Sequence, residues 1–335
     1  MTDQILGLTC ISEILKDKDK KKYSFRTMTR KRFNDLCVKE GRDEAIKELS
    51  DRILSNVIVT SHIVHHCAKS NIGHLRISSS LFPLVSDETL EISLQDLPNI
   101  EEIKQELRQV GIVGKTLGIS MGSHPDMFNV LASCNRDAVR RTIRELNLQA
   151  SVLDMIGLPQ DHTAPMNIHV NYTPKMDESL EIVATRFFRN LAMCNSGVYN
   201  RLTIENEDRG FFNIDNCIKF SDYLFETHKI NIPVCADNLH HLCNPSEVAD
   251  FAWQAERCAY TWVNQGDGEG NFIAPVFHWS EGKPEKPRAH ADYISLGNFP
   301  PYIAIEPDKP AIYEIETKRK DYAIKLLQEQ MAGAI

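Results

Sequence analysis

His124, His169, Glu205, Asp237, His240, His278, His290 and Glu316 are imidazoles and carboxylates scattered from position 124 to position 316 of the chain. Each alone has an ordinary explanation. Glu205 could pair with Arg201 or Arg209, and His62, His65 and His66, which share one helical stretch, are given no metal role. What sets the eight apart is where they fall. In "PVCADNLHHLCNP", residues 233–245, an apolar run stops at Asp237 and His240 rather than at turn residues, and the other six likewise sit late in, or just after, apolar runs. Gathering so many polar and like-charged groups in one place is costly without cations to neutralise them. The donors are imidazole and carboxylate without thiolate, which suits zinc, manganese or related ions rather than a cysteine-rich structural zinc site. Two or three such ions side by side form a clamp for phosphodiester hydrolysis, activating water and stabilising the attacking and leaving oxygens. Arg76, Lys283, Arg288 and Lys318 lie near the same run ends and could hold phosphates.

The apolar runs read as strands at 4–12, 74–79, 116–121, 166–172, 201–206, 232–236, 273–279 and 311–316, with helical patterns at 44–68, 98–110, 136–156, 178–195, 214–228, 245–264 and 318–332. Strands alternating with helices predict a parallel sheet, and eight such units predict an α/β fold, a single (β/α)8 barrel over residues 1–335. In a barrel all eight candidate ligands would face the C-terminal rim of the strands, where such folds build their sites. Asn244-Pro245 supplies an N-cap and a first-turn proline for the helix at 245–264. Residues 266–272 and 281–290 read as loops. "GIVGKT", residues 111–116, looks like a phosphate loop, but Gln109 occupies the place of its required first glycine, so the run is expected to lead into a strand.

Composition narrows the class. With 42% apolar and 25% charged residues the chain has the makeup of a globular protein. Its 9 cysteines form no C-x-x-C pair, as expected of reduced thiols. A net charge of −8 argues against broad non-specific binding to nucleic acid, although carboxylates that hold cations count as negative in that sum. The basic clusters at 17–33 and 136–144 read, each alone, as solvated charged faces. No stretch approaches the roughly 20 apolar residues of a membrane span, and the first residues lack a signal-peptide pattern. A monomer in the cytoplasm, nucleoid-associated, or in the nucleus is expected, without membrane partners.

Several blocks together resemble the UV damage endonuclease family: "LRISSSLFPL", "SHPDMFNVLAS", "LDMIGL", "IHVNY", "RLTIENED", "ADNLHH", "HWSEG", "RAHADYI" and "YEIETKRKD", in family order from Leu6 to about Leu327. The resemblance implies a barrel related to endonuclease IV, with up to three divalent ions, commonly manganese. It implies an endonuclease that nicks double-stranded DNA 5′ to UV photoproducts (cyclobutane dimers and 6-4 photoproducts), often accepting abasic sites. By position, the eight residues above match the family's metal ligands. His124 and His169 would hold one ion, Asp237 and His278 a second, and His240 and His290 a third, with Glu205 and Glu316 serving or bridging the first two. Glu205, Glu316 and Asp237 are the expected catalytic carboxylates. Met127 and Phe128 stand where the family carries the Gln-Tyr pair that probes the duplex beside the lesion, and apolar side chains can act as such a wedge. Leu8 replaces an aromatic residue, Asp87 a histidine, and Val276 a lysine that can be carboxylated to assist the metals. Leu8, Arg76, Lys283 and Arg288 join Met127 and Phe128 as expected DNA contacts.

Two other functions use the same features. A sugar isomerase or epimerase on this barrel needs only about four ligands and a closed pocket, whereas eight candidates, basic loops and an apolar wedge favour an open groove for a polymer. A DNA-damage binder without turnover would keep the fold and shift DNA mobility without nicking it.

Overall fold

The computed structural model describes residues 5–264 and 271–333. Eight parallel strands form the sheet: β1 (Ile5–Thr9), β2 (His74–Ile77), β3 (Ser120–Ser123), β4 (Met166–His169), β5 (Leu202–Glu205), β6 (Val234–Cys235), β7 (Val276–Trp279) and β8 (Ile312–Ile315). They lie in the order β6-β5-β4-β3-β2-β1-β8-β7. The ring closes through a parallel bridge between Asp237 and His278, with the His278 N–H donating to the Ala236 carbonyl at 3.0 Å. The α/β barrel expected from the alternation of elements is the fold observed.

Strand alternation sorts the side chains. Residues two apart point the same way. Leu6, Leu8, Leu75, Ile77, Ile168, Ile204, Phe277, Tyr313 and Ile315 belong to the continuous hydrophobic core. His74, Arg76, Asn167, His169, Thr203, Glu205, His278 and Glu314 have the opposite parity, and their hydrogen bonds and ion pairs cross the barrel interior. The interior of this barrel is therefore polar towards its C-terminal mouth.

Several boundaries differ from those read in the sequence. The helix expected over 98–110 runs from Ile100 to Leu117 and ends on Gly118 at φ 70°, so the strand expected at 116–121 begins only at Ser120. "GIVGKT" thus lies in a helix. Its glycines serve packing: a Cβ at Gly111 would sit 1.9 Å from the Ile156 carbonyl oxygen, and one at Gly114 would sit 2.2 Å from Met121 Cε. The helix expected over 245–264 spans only Phe251–Ala259 and is capped by Asp250. Asn244 instead closes the short helix Asn238–Cys243, and its amide donates to the carbonyls of Glu207 and Gly210. Residues 281–290, expected as a loop, contain an antiparallel hairpin, Gly282–Lys283 with Lys286–His290, which stands between β7 and β8 where a barrel helix would otherwise run. The loop expected at 266–272 lies, as far as residue 270, outside the described residues, and so does the first residue of the strand expected at 4–12. Among the described residues no helix is long and apolar enough to cross a membrane.

The first and last barrel units are pinned by Asp321. Its carboxylate accepts from the Glu13 N–H at 2.8 Å, the Ile14 N–H at 3.3 Å and the Ser12 hydroxyl, and lies 2.8 Å from His66 Nε2. Burial opposes the Asp321 anion, but the bonds from His66 and Ser12 outweigh it and hold its pKa below the usual value. A depressed native pKa adds stability above the unfolded-state value, and that stability disappears as pH falls through the native one. Asp321→Asn is therefore expected to cost about 2 kcal/mol at neutral pH. The difference from wild type should begin to shrink as pH falls below the ordinary aspartate value of about 4 and disappear only below the depressed native one, where the wild-type carboxyl is protonated too. Urea unfolding at several pH values measures this; a pH-independent difference would contradict it.

Candidate metal centre

The strand ends bring all eight expected ligands to one mouth, and Glu205 at the end of β5 is their hub. Its Oε2 lies 3.0 Å from His124 Nε2 and accepts from the Asn167 amide at 2.6 Å. Its Oε1 lies 3.0 Å from His240 Nδ1, 3.2 Å from His278 Nδ1 and 3.9 Å from His169 Nε2. Asp237 follows β6 and caps the helix Asn238–Cys243, accepting from the His240 N–H at 2.7 Å; that turn puts Asp237 and His240 on the same side. His278 Nδ1 lies 3.7 Å from both Asp237 Oδ2 and Glu316 Oε1. His290, delivered by the hairpin, places Nε2 3.5 Å from Glu316 Oε2 while Nδ1 meets the Ser280 hydroxyl at 3.0 Å.

Three groups of side chains have ligand atoms within 4.8 Å of one another and match the donor chemistry of hard or borderline cations: His124 with His169 and Glu205, Glu205 with Asp237 and His240, and Asp237 with His278 and Glu316. A fourth group adds a sulfur. Cys235 comes within the same distance of Glu205 and His278, so the expectation of a mouth without a thiol is corrected. Cys235 is the register partner of Glu205, which turns its side chain inward. Burial pushes the Cys235 thiol up to about 12.

The electrostatics fit divalent ions. Glu205 Oε1, Asp237 Oδ2 and His278 Nδ1 are buried, face one another and make no hydrogen bond. Burial works against the Glu205 anion, yet the imidazoles of His278 and His169 hold it well below the usual carboxylate range. Burial raises Asp237 against the pull of His240. His240, also desolvated, is nonetheless pushed up to about 10 by the carboxylates of Asp237 and Glu205, whereas burial lowers His169 to about 4. Divalent cations would supply here the positive charge that these carboxylates draw, and their binding would displace imidazole protons.

Beneath this layer lies a second one. Glu314 Oε1 is 3.1 Å from His74 Nε2, and its Oε2 is 3.0 Å from Arg76 Nη1 and 3.2 Å from His278 Nε2. Arg76 also pairs with Glu316. Glu314 thus fixes the outer nitrogen of His278, as carboxylates behind ligand histidines commonly do. This layer was legible in principle, because Glu314 lies two positions before Glu316 on one strand and so shares its face. Arg76, expected as a DNA contact, is 8% exposed and engaged with two carboxylates, so its charge is used inside the barrel. Leu8, also expected at the DNA surface, is 0% exposed, because its parity on β1 turns it into the hydrophobic core. Val276, where the family lysine was expected, is buried on β7.

Met127 and Phe128 stand at the mouth, 59% and 78% exposed. They line a cleft of about 600 Å3 with His169, Asn171, Glu207, His240 and Arg288. Arg288 lies 3.6 Å from Asp208, and Lys283 lies 3.3 Å from Asp292, both at the surface.

The family model described as UV-endonuclease UvdE matches residues 4–334. A UV DNA damage endonuclease of Nostoc sp. is 31% identical over 330 residues, covering 96% of this chain and 89% of that protein. The crystal structure of SacUVDE superposes with a TM-score of 0.75 at 24% identity, over 99% of this chain and 100% of that one. Endonuclease IV from Thermus thermophilus shares the fold with a TM-score of 0.50 at 12% identity, over 82% of this chain and 94% of that one. With that family match running almost from end to end, the chain belongs to the UV-endonuclease UvdE family.

Proposed function

We propose that this protein nicks the backbone of double-stranded DNA on the 5′ side of UV photoproducts, cyclobutane dimers and 6-4 photoproducts, and also acts at abasic sites. The observation that carries the reading is the convergence of four imidazoles on the Glu205 carboxylate beside Asp237 and Glu316. His124 and His169 would hold one ion, Asp237 and His278 a second, and His240 and His290 a third, with Glu205 and Glu316 shared between the first two. Bound ions, manganese first among the candidates and zinc or magnesium after it, would supply Lewis acidity to activate water and to neutralise charge on the phosphate. Glu205, Asp237 and Glu316 keep these positions anionic and, with Glu314 behind them, hold the imidazoles in place. Arg288 lines the cleft and Lys283 lies on the same hairpin, and both are suited to backbone phosphates. Every ligand comes from one chain, which supports action as a monomer.

Met127 and Phe128 would enter the duplex as an apolar wedge beside the lesion, where a distorted photoproduct is easier to unstack than an intact pair. Replacing both with Ala should lower the ratio of damaged to undamaged DNA affinity about tenfold, the loss of one to two stacking contacts, while the bound metal is unchanged. Fluorescence anisotropy with lesion-bearing and intact duplexes measures this; an unchanged ratio removes the wedge.

Nicking of UV-irradiated supercoiled plasmid with manganese tests the whole reading. Relaxation of irradiated plasmid, blocked by chelator and absent with unirradiated plasmid, is the expected result. A plasmid that stays closed overturns the reading. A mobility shift without nicking favours the damage binder, and no interaction at all favours the isomerase.

A further inference from the structure

Met127 and Phe128 are too exposed for their side chains to be held by packing, so their position depends on the backbone beneath them. Asp126 closes the turn locally: its Oδ1 accepts from the Met127 N–H at 2.8 Å, and its carbonyl accepts from the Asn129 amide at 2.6 Å. Among the described residues, the bond that joins residues 127–128 to the loop of another strand comes from Asn171, whose Nδ2 donates to the Met127 carbonyl at 2.7 Å. Asn171 lies two positions beyond His169 and has φ 52°, a left-handed conformation that asparagine tolerates better than most residues. Its own N–H donates to Glu207 Oε1 at 2.5 Å, and Glu207 lies two positions beyond Glu205. The Glu207 loop is held in turn, since its N–H donates to the Phe212 carbonyl at 2.7 Å and its carbonyl accepts from Asn244 at 3.1 Å. A continuous chain of hydrogen bonds therefore runs from the wedge, through one asparagine, to the loops that extend the metal-ligand strands β4 and β5.

We propose that Asn171 is a positioning residue that fixes Met127 and Phe128 relative to the metal centre and so sets how strongly the protein distinguishes damaged from intact DNA. The inference rests on reading Met127 and Phe128 as a wedge. Strained backbone held by surrounding hydrogen bonds is a common way to place functional groups. Asn171 touches no reacting atom; it acts through the Met127 backbone.

The experiment uses the full chain, with duplex affinities measured in chelator so that no cleavage occurs. Asn171→Gly keeps the left-handed backbone without strain and removes only the side-chain bond. Asn171→Asp keeps the shape but aims an oxygen at the Met127 carbonyl. Both should lower the damaged-to-intact affinity ratio about fivefold, the effect of one hydrogen bond, with manganese content unchanged. In a chain already carrying Met127→Ala and Phe128→Ala, Asn171→Gly should have no further effect. An unchanged ratio in Asn171→Gly, while the Met127/Phe128 double variant lowers it, overturns the positioning role and leaves the wedge standing. An equal loss in both backgrounds, or a loss of bound manganese, makes Asn171 a structural residue and overturns the proposal. If the double variant also leaves the ratio unchanged, the wedge itself fails and the proposal falls with it.

Discussion

Glu205→Gln is expected to lower nicking of irradiated DNA by at least about a thousandfold, because it removes several kcal/mol of metal-dependent stabilisation and each factor of ten is about 1.4 kcal/mol. The substitution is nearly isosteric, so the chain should stay folded. What disappears is the anion at the point where His124, His169, His240 and His278 converge. An amide cannot bridge cations as a carboxylate does, and it leaves the imidazoles without the charge that aligns them. The same variant should lose most of the rise in melting temperature that manganese gives the wild type, since a ligand stabilises only in proportion to its binding to the native state. Retained nicking at wild-type rate, with the manganese-induced shift intact, would remove Glu205 from the centre of the site.

Arg76→Met is expected to cost about 3–5 kcal/mol of stability, the usual consequence of stripping one partner from a buried ion pair. Glu314 and Glu316 both lean on the Arg76 guanidinium. Burial disfavours the charged guanidinium, yet those two carboxylates carry its pKa well above the ordinary arginine value. Without it, two carboxylates share the mouth with no fixed cation between them. Urea unfolding of the metal-free chain should show the loss, and added manganese should recover part of it by neutralising Glu316. Were Arg76 a phosphate contact instead, the variant would keep its stability and lose DNA affinity in a salt-dependent way.

The fold and the mouth were legible for one physical reason. A buried strand announces itself as an apolar run, and a catalytic rim announces itself as polar residues where such runs stop. That reasoning found His124, His169, Glu205, Asp237, His240, His278, His290 and Glu316, which the barrel brings to one end. It failed where local pattern and tertiary packing diverge. Gly111 and Gly114 look like parts of a phosphate loop, yet they lie inside a helix, where the close approach of Ile156 and Met121 leaves no room for a side chain. Asn244-Pro245 looks like a helix start, but Asn244 is occupied in closing one helix and bracing the Glu207 loop. Leu8 reads as a DNA contact from its match to a family position and Arg76 from its place near a run end, although their own strand parity sends one to the core and the other into the barrel. Glu314 escapes that reasoning because it lies within β8 rather than at its end, His74 because it opens β2 rather than closing it, and Cys235, which closes β6, because a thiol in an apolar run reads as core. Counting by twos back from Glu316 would have exposed Glu314. Asn171 carried no sequence signal, because its importance lies in two hydrogen bonds across loops that are distant in sequence.

Anomalous diffraction at the manganese edge from crystals grown with manganese addresses the site most directly. Two or three peaks are expected among the eight side chains at the barrel mouth, with Glu205 between the first and second, and fewer peaks in Glu205→Gln crystals. Clear density for those side chains with no anomalous peak among them, at manganese concentrations that support nicking, would contradict the metal centre and the hydrolytic reading built on it.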